Sequence, residues 1–419
     1  MEKAREIEAR LRSRTLDGIP AGTAVVPDYE GYSIRAVPGL LLSLFGGGGD
    51  GGDALRAAIA AAVPGPADKV IFFVVDGLGF YHLLELLERF PDLGLHALVQ
   101  RGALLPITSV FPSTTVAALT TFSTGLTPQE HGMVGYRLYL RETSAITNMI
   151  RLSLLGTTKG DSALDWGIDL ETFLGGPFLS ENLRRLGVET HVVLPRRIAS
   201  SGLSRLLYGR ADGLHPSTNL SDMLVVARRL VRQATGKVLV QLYWSETDTL
   251  AHVHGPRSEE FTAEVRAVDA AVARELGEAS GAVLVITSDH GFVTMERKDH
   301  VRVDADPLLL RDLVLPPVGE PRASYLFVRE GRRRAVADRI VGEYGEGLVC
   351  LESQEALARG VFGRGNVHSA VADRIGDLVV VSTGRKALYY PYPDSAMLRG
   401  MHGGLTQEEM LVPLLVARI

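Results

Sequence analysis

Val70-Ile-Phe-Phe-Val-Val75, followed at once by Asp76-Gly-Leu-Gly79, is the stretch that decides the fold. Six apolar residues in a row, rich in β-branched and aromatic types and closed by a glycine turn, read as a strand buried on both faces. Four more runs share that character: His191–Leu194, Val238–Trp244, Ala282–Ile286 and Leu378–Val381. All five read as parallel strands. Helical patterns lie between them, at Tyr81–Phe90, Thr115–Ser123, Leu179–Leu186, Asp222–Gln233 and Ser258–Leu276. Alternation of this kind predicts an α/β chain with a doubly wound, mostly parallel sheet. Ligands of such sheets bind beyond the carboxyl ends of the strands. Asp76, Asp248 and Asp289 all fall at or shortly after those ends.

Two segments break the alternation. Residues 136–180 are polar and glycine-rich and carry Arg137, Arg141, Lys159 and Trp166. Residues 295–370 contain Pro316-Pro317, the basic run Arg332–Arg334 and a short mixed pattern around Ser324–Val328. Both are expected to be insertions that cap the site of a domain spanning residues 67–419. Residues 1–66 are expected to form an N-terminal extension. It begins as a charged helix (Glu2–Arg14) and ends in a glycine-rich linker, Gly46–Gly52. That run is no phosphate-cradling loop, because Asp53-Ala54 follows it where a lysine and a hydroxyl would be needed.

Composition narrows the classes. Of 419 residues, 46% are hydrophobic and 22% charged, ordinary globular values that allow a large core. The formal net charge of -5 argues against a bulk nucleic-acid surface, though not against a small anionic substrate met by a local cation cluster. Cys350 is the one cysteine, so no internal disulfide can form. The N-terminus lacks the apolar core of a signal peptide, and no apolar run approaches the roughly 20 residues needed to span a bilayer. A soluble cytoplasmic protein without membrane association is expected.

Five motifs carry candidate chemistry. Asp76 either caps the following helix or binds a metal, its glycines letting backbone approach an ion. Phe111-Pro-Ser-Thr-Thr115 enters a helix that continues to Thr124-Gly125; its hydroxyls are either caps or a nucleophile held at the positive end of the helix dipole. Asp248-Thr-Leu-Ala-His252 puts a carboxylate and an imidazole one helical turn apart on one face, a spacing that suits zinc, whereas His254 points elsewhere. Asp289-His290 follows a strand end in a tight turn. His402 sits in Gly400-Met-His402-Gly403-Gly404, where the glycines imply backbone turning tightly beside something. Together Asp76, Thr115, Asp248, His252, Asp289, His290 and His402 supply what two divalent cations and a nucleophile need.

In order and company these strings (VVDG, the Thr-helix-STG segment with EHG after it, DTLAHVHGP, TSDHG and MHGG) resemble the alkaline phosphatase superfamily, most closely its type I phosphodiesterase/nucleotide pyrophosphatase-like branch. The resemblance runs from about residue 68 to 419 and thins in the two insertions. It implies an alkaline-phosphatase-like sheet and two zinc ions. Asp76, Asp289 and His290 would hold one zinc with the threonine oxygen, and Asp248, His252 and His402 the other. It also implies the nucleophile: counting back from Thr124-Gly125 selects Thr115, with Thr114 the runner-up. The expected activity is hydrolysis of phosphodiester or nucleotide pyrophosphate bonds through a covalent phospho-threonine, with a small phosphate ester or nucleotide as substrate.

The chain departs from the branch directly after the nucleophile. Val116, Ala117 and Ala118 stand where an aromatic or Asn and then Pro-Asn are usual, so a phosphoryl oxygen must find another donor, from the Val116 N–H or a capping arginine. Phosphomonoester or phosphonate hydrolysis on the same core stays open. So does a non-catalytic, metal-stabilised role in a larger assembly, since the HGG-x(3)-EE-x(3)-P ending is similar to PglZ-like members. A sulfatase is excluded because Cys350 lies in Leu-Val-Cys-Leu-Glu and not in a formylglycine string.

Overall fold

The computed structural model describes residues 2–48, 51–277, 281–393 and 395–419. Its centre is a seven-stranded sheet. In spatial order the strands are Ala103–Thr108, Leu411–Arg418, Val283–Thr287, Lys69–Val75, Lys237–Trp244, Val188–Pro195 and Gly213–Ser217. All neighbours pair in parallel except at Leu411–Arg418, which runs antiparallel to both of its partners. The sheet is thus α/β and mostly parallel, as the alternation predicts. Lys69–Val75 lies at its middle and is buried from Val70 onward, which explains its unbroken apolar composition.

Register is what brings the site together. Val75 stands beside Trp244, and Val74 beside Thr287. The three central strands therefore end at one level. Asp76 leaves the first directly, Asp289 lies two residues past the third, and Asp248 lies in the first turn of the Glu246–His254 helix that follows the second.

One predicted strand belongs elsewhere. Leu378–Ser382 is not part of the parallel sheet; it pairs antiparallel with Ala323–Leu326 and Leu348–Glu352 in a second seven-stranded sheet. That sheet continues through Val318–Glu320 to Arg137–Leu140, Ala145–Asn148 and Ser153–Leu154. Strands from the two segments expected to be capping insertions thus share one sheet, joined where Gly319 pairs with Arg137.

The N-terminal residues pack onto the core. The Glu2–Arg12 helix lies against the edge strand Ala103–Thr108, and the buried Val37–Leu44 helix packs on the Thr115–Thr124 helix. Thr108 is held further by Tyr32, whose carbonyl accepts its N–H. An otherwise open sheet edge is covered in this way. Within the glycine-rich run Gly46–Gly52, Gly49 and Asp50 lie outside the described residues.

Candidate metal centre and nucleophile

All seven candidate side chains meet at the carboxyl rim of the central sheet. His290 Nε2 lies 3.2 Å from Thr115 Oγ1, 3.4 Å from Asp289 Oδ2, 3.5 Å from Asp76 Oδ1 and 4.0 Å from Asp248 Oδ1. His252 Nε2 lies 3.4 Å from Asp248 Oδ1 and 3.2 Å from His402 Nε2, and His402 Nε2 is 3.8 Å from Asp248 Oδ1. The side chains thus form an inner trio, Asp76–Asp289–His290, and an outer trio, Asp248–His252–His402. The His290 and His402 rings stack between them, centroids 3.6 Å apart.

Local structure fixes each donor. Gly77 adopts φ +75, and a Cβ there would fall 2.5 Å from the Phe292 ring, so the turn after Asp76 needs glycine. The helix after that turn is capped by Gly79, which leaves Asp76 free of any capping role. Tyr243 donates its hydroxyl to Asp76 Oδ2, while Gly77 N–H (3.1 Å) and His290 N–H (3.0 Å) bind Asp289 Oδ1. One oxygen of each of three carboxylates, Asp76 Oδ1, Asp289 Oδ2 and Asp248 Oδ1, is buried without a hydrogen-bond partner. These are the oxygens nearest the imidazoles.

The three histidines share one arrangement. Nδ1 of His290, His252 and His402 lies 3.1, 2.9 and 2.9 Å from the carbonyls of Gly291, Gly400 and Ser113. A carbonyl can only accept, so each Nδ1 carries the hydrogen and each Nε2 presents a lone pair to the cluster. This is the tautomer a metal-binding imidazole needs. Burial pushes His290 down to about 3, and burial with its neighbours His290 and His252 pushes His402 well down as well. Asp76 is raised by burial and by the charges of Asp289 and Asp248; Asp248 is raised to about 6, chiefly by burial. Neutral imidazoles, facing lone pairs and mutually repelling buried carboxylates form a donor set that a pair of divalent cations would satisfy.

Thr115 opens the Thr115–Thr124 helix, with Thr114 at the N-cap position. Thr114 makes no side-chain cap; its hydroxyl donates to Glu320 Oε1 at 2.6 Å. Of the two neighbouring hydroxyls, only Thr115 faces His290. His254, left out of the site by its spacing, is 3.5 Å from Glu260 instead.

Several side chains here carry no motif in the sequence. Phe292 lies edge-on to all three imidazoles, at centroid distances of 4.9, 5.5 and 5.1 Å to His252, His290 and His402. Glu320, from the capping sheet, is buried, accepts the Tyr136 N–H at 3.0 Å and is pushed up to about 7, chiefly by burial. Arg322, two residues on, is fully buried and binds Glu409 through two nitrogens, at 2.6 and 2.7 Å. Its other hydrogens reach the carbonyls of Gly384, Arg385 and Lys386. Glu409 also accepts from Gly404 N–H and from the Thr406 hydroxyl. This pair ties the cap to the glycine loop that carries His402. It also gives the second Glu of the HGG-x(3)-EE ending a structural task.

A mostly parallel α/β sheet with three carboxylates, three imidazoles and a threonine at its carboxyl rim has the constitution of a phosphoric-ester hydrolase. The family model of the type I phosphodiesterases / nucleotide pyrophosphatases matches residues 70–405, and the chain belongs to that family. Among solved structures it is similar to murine ectonucleotide pyrophosphatase/phosphodiesterase 5, at 18% identity over 83% of this chain and 88% of that chain, with a TM-score of 0.62. A structure of an inactive form of that murine protein, in complex with AMP, is equally similar at a TM-score of 0.62. So is the phosphonoacetate hydrolase of Sinorhizobium meliloti 1021 in complex with phosphonoformate, at 22% identity, 84% and 91% coverage and a TM-score of 0.62. These likenesses concern the fold. No curated protein sequence matches the chain. Among the described residues no helix is long and apolar enough to cross a membrane.

Proposed function

We propose that this enzyme hydrolyses phosphodiester or nucleotide pyrophosphate bonds by double displacement through Thr115, at a centre for two divalent cations of which zinc fits the donor set. The observation that carries the reading is the position of the Thr115 hydroxyl, 3.2 Å from His290 Nε2 at the start of a helix, beside the buried cluster Asp76–Asp289–His290 and the adjoining, partly exposed Asp248–His252–His402. Asp76, Asp289 and His290 would hold one cation beside the Thr115 oxygen; Asp248, His252 and His402 would hold the other. When bound, such ions lower the threonine pKa and neutralise charge on the phosphoryl and leaving oxygens.

The chain's own residues do the rest. Thr115 Oγ1 attacks phosphorus, forming a P–O bond as the bond to the leaving oxygen breaks in line with it, and the threonine proton passes by way of solvent to that leaving oxygen. The helix start directs its N–H groups and positive dipole end toward the reacting phosphoryl group. Arg137 lines the same cavity as Thr115 and supplies a cation where the chain has Val116, Ala117 and Ala118 after the nucleophile. A water oxygen then attacks the phospho-threonine, the P–O(Thr115) bond breaks, and Thr115 regains its proton.

The test couples metal analysis to rates on p-nitrophenyl phosphate, its thymidine diester, a dinucleotide and phosphonoacetate. The expected result is metal-dependent turnover with the diesters fastest. Preference for phosphonoacetate or the monoester would reassign the substrate. Bound metal with no turnover of any of the four would favour the non-catalytic, PglZ-like role.

A further inference from the structure

The helix Gly202–Tyr208 packs on the Thr115–Thr124 helix. Ser201 caps it, accepting the Ser204 N–H at 3.2 Å, and Asp161 accepts the Gly202 N–H at 2.8 Å. A Cβ at Gly202 would fall 2.6 Å from Asp161 Oδ1 and 2.7 Å from Leu152, so glycine lets the helix start lie this close. Leu203, Leu206 and Leu207 are buried. The element is thus fixed at its start and along its apolar side. Its last residue, Tyr208, is held with only 6% of its surface exposed.

Tyr208 lines a cavity of about 460 Å³ together with Thr115, Asp76, Asp248 and Tyr243. Three oxygens of these side chains are buried and have no hydrogen-bond partner among the described residues: Asp76 Oδ1, Asp248 Oδ1 and Tyr208 Oη. The two carboxylate oxygens are acceptors and belong to the candidate metal centre. The phenol is a donor. Burial, with the charges of Asp289 and Asp76, pushes its pKa up, so it keeps its hydrogen at any working pH. Tyr243, the other phenol on this wall, spends its hydrogen on Asp76 Oδ2. Neighbouring polar groups are engaged as well: Arg197 with Glu246 at 2.5 Å, Ser204 Oγ with the Ile198 carbonyl at 2.7 Å, and Arg151 with the Thr158 carbonyl at 2.9 Å.

A buried hydroxyl that bonds to nothing weakens a fold, and phenylalanine would fill the same space without that cost. A tyrosine here implies a ligand that takes its hydrogen. The nucleophile helix points to the same need. After Thr115 come Val116, Ala117 and Ala118, so its first turn supplies no side-chain donor to a phosphoryl oxygen. Arg137 lines the cavity on the cap side of Thr115 and not this one.

We infer that Tyr208 is a further catalytic residue, whose hydroxyl donates a hydrogen bond to the non-bridging phosphoryl oxygen that faces this cavity when phosphorus is held at Thr115. The inference rests on the Thr115 reading above and deepens it. No bond to Tyr208 forms or breaks, and its proton stays on the phenol throughout. The hydrogen bond strengthens as negative charge grows on that oxygen, first during attack by Thr115 and again during attack by water.

The test is Tyr208→Phe in the full-length, metal-loaded enzyme, which removes one oxygen and keeps the ring. With the p-nitrophenyl thymidine diester, kcat and kcat/KM are expected to fall together by about a hundredfold. Metal content should be unchanged, and Tm unchanged or raised, because the lost hydroxyl bonds to nothing in the fold. Orthovanadate, which mimics five-coordinate phosphorus, should bind the variant about tenfold more weakly or worse by calorimetry. A further readout is stereochemical. Sulfur is a poor acceptor, so the ratio of kcat/KM for the Rp and Sp phosphorothioates of the diester should shift by about tenfold in the variant. Wild-type kcat with an unchanged Rp/Sp ratio overturns the inference and leaves the Thr115 reading standing. A lower Tm with a matching loss of active enzyme also overturns it, because the hydroxyl then serves the fold. If Thr115→Ala keeps wild-type rates, or if the enzyme turns over no phosphate ester, the Thr115 reading fails and the inference fails with it.

Discussion

The inner and outer trios hold similar donors but are built differently. Asp76, Asp289 and His290 sit directly at strand ends and are almost wholly buried. Asp248 and His252 sit on a helical turn and His402 on a glycine loop; their side chains are 18%, 23% and 9% exposed and face a chamber. Strand ends are positioned by register along a whole sheet. A turn and a loop depend on whatever braces them from outside. For the outer trio the brace is the Arg322–Glu409 pair, together with Phe292. The inner trio is the better place to fix a nucleophile, and the outer is the better place to admit and release a leaving group and a water.

That contrast can be broken at several points. The largest effect is expected at Thr115. Thr115→Ala should lower kcat by on the order of a thousandfold or more while metal content stays unchanged. Wild-type rates in this variant would refute the nucleophile assignment. Next come the trios themselves. His252→Ala should reduce bound metal from about two equivalents to about one, whereas Asp289→Ala should leave the protein with less tightly held metal throughout, both read by elemental analysis after dialysis. Equal behaviour of the two variants would erase the distinction between inner and outer.

A third prediction concerns the brace. Arg322→Met leaves Glu409 charged and buried, so a loss of about 3–5 kcal/mol is expected in urea unfolding. Arg322→Met with Glu409→Leu should recover part of that loss, which a simple surface role would not.

The smallest effect is expected at Glu320. Its carboxyl is raised from 4.5 to about 7, chiefly by burial. A raised carboxyl pKa contributes stability that is full below about 4.5 and is lost as pH rises through about 7, because the folded state then holds a buried charge. Glu320→Gln should therefore flatten the decline in stability between pH 5 and pH 8, measured by denaturation at both values.

Much of this architecture is legible in the chain because buried parallel strands need unbroken apolar runs. Residues 70–75, 238–244 and 282–286 could hardly be anything else. The same logic misplaces Leu378–Ser382, because an apolar run reports burial and not which sheet does the burying. Leu411–Arg418 escapes notice for the opposite reason. Pro413 looks like a strand breaker, yet it stands opposite Pro106, and its carbonyl takes the Thr287 hydroxyl at 2.7 Å. The convergence of the seven candidate side chains follows from strand ends and glycine turns that are visible in sequence. Glu320, Arg322 and Phe292 are not visible in that way. The partners of Glu320 and Arg322 lie far along the chain, and Val318-Gly-Glu-Pro-Arg322 carries no periodicity to mark a buried charge.

The strand Leu411–Arg418 is also the last of the sheet to leave the ribosome, and it slots between two others made long before. Until it arrives, Ala103–Thr108 has no strand beside it and Val283–Thr287 is bare on one flank. A growing polypeptide thus carries two sticky, unpaired β-edges for more than a hundred residues of synthesis. Yield in a foreign host should hinge on that interval, and slower translation there should cost more protein than slower translation anywhere earlier.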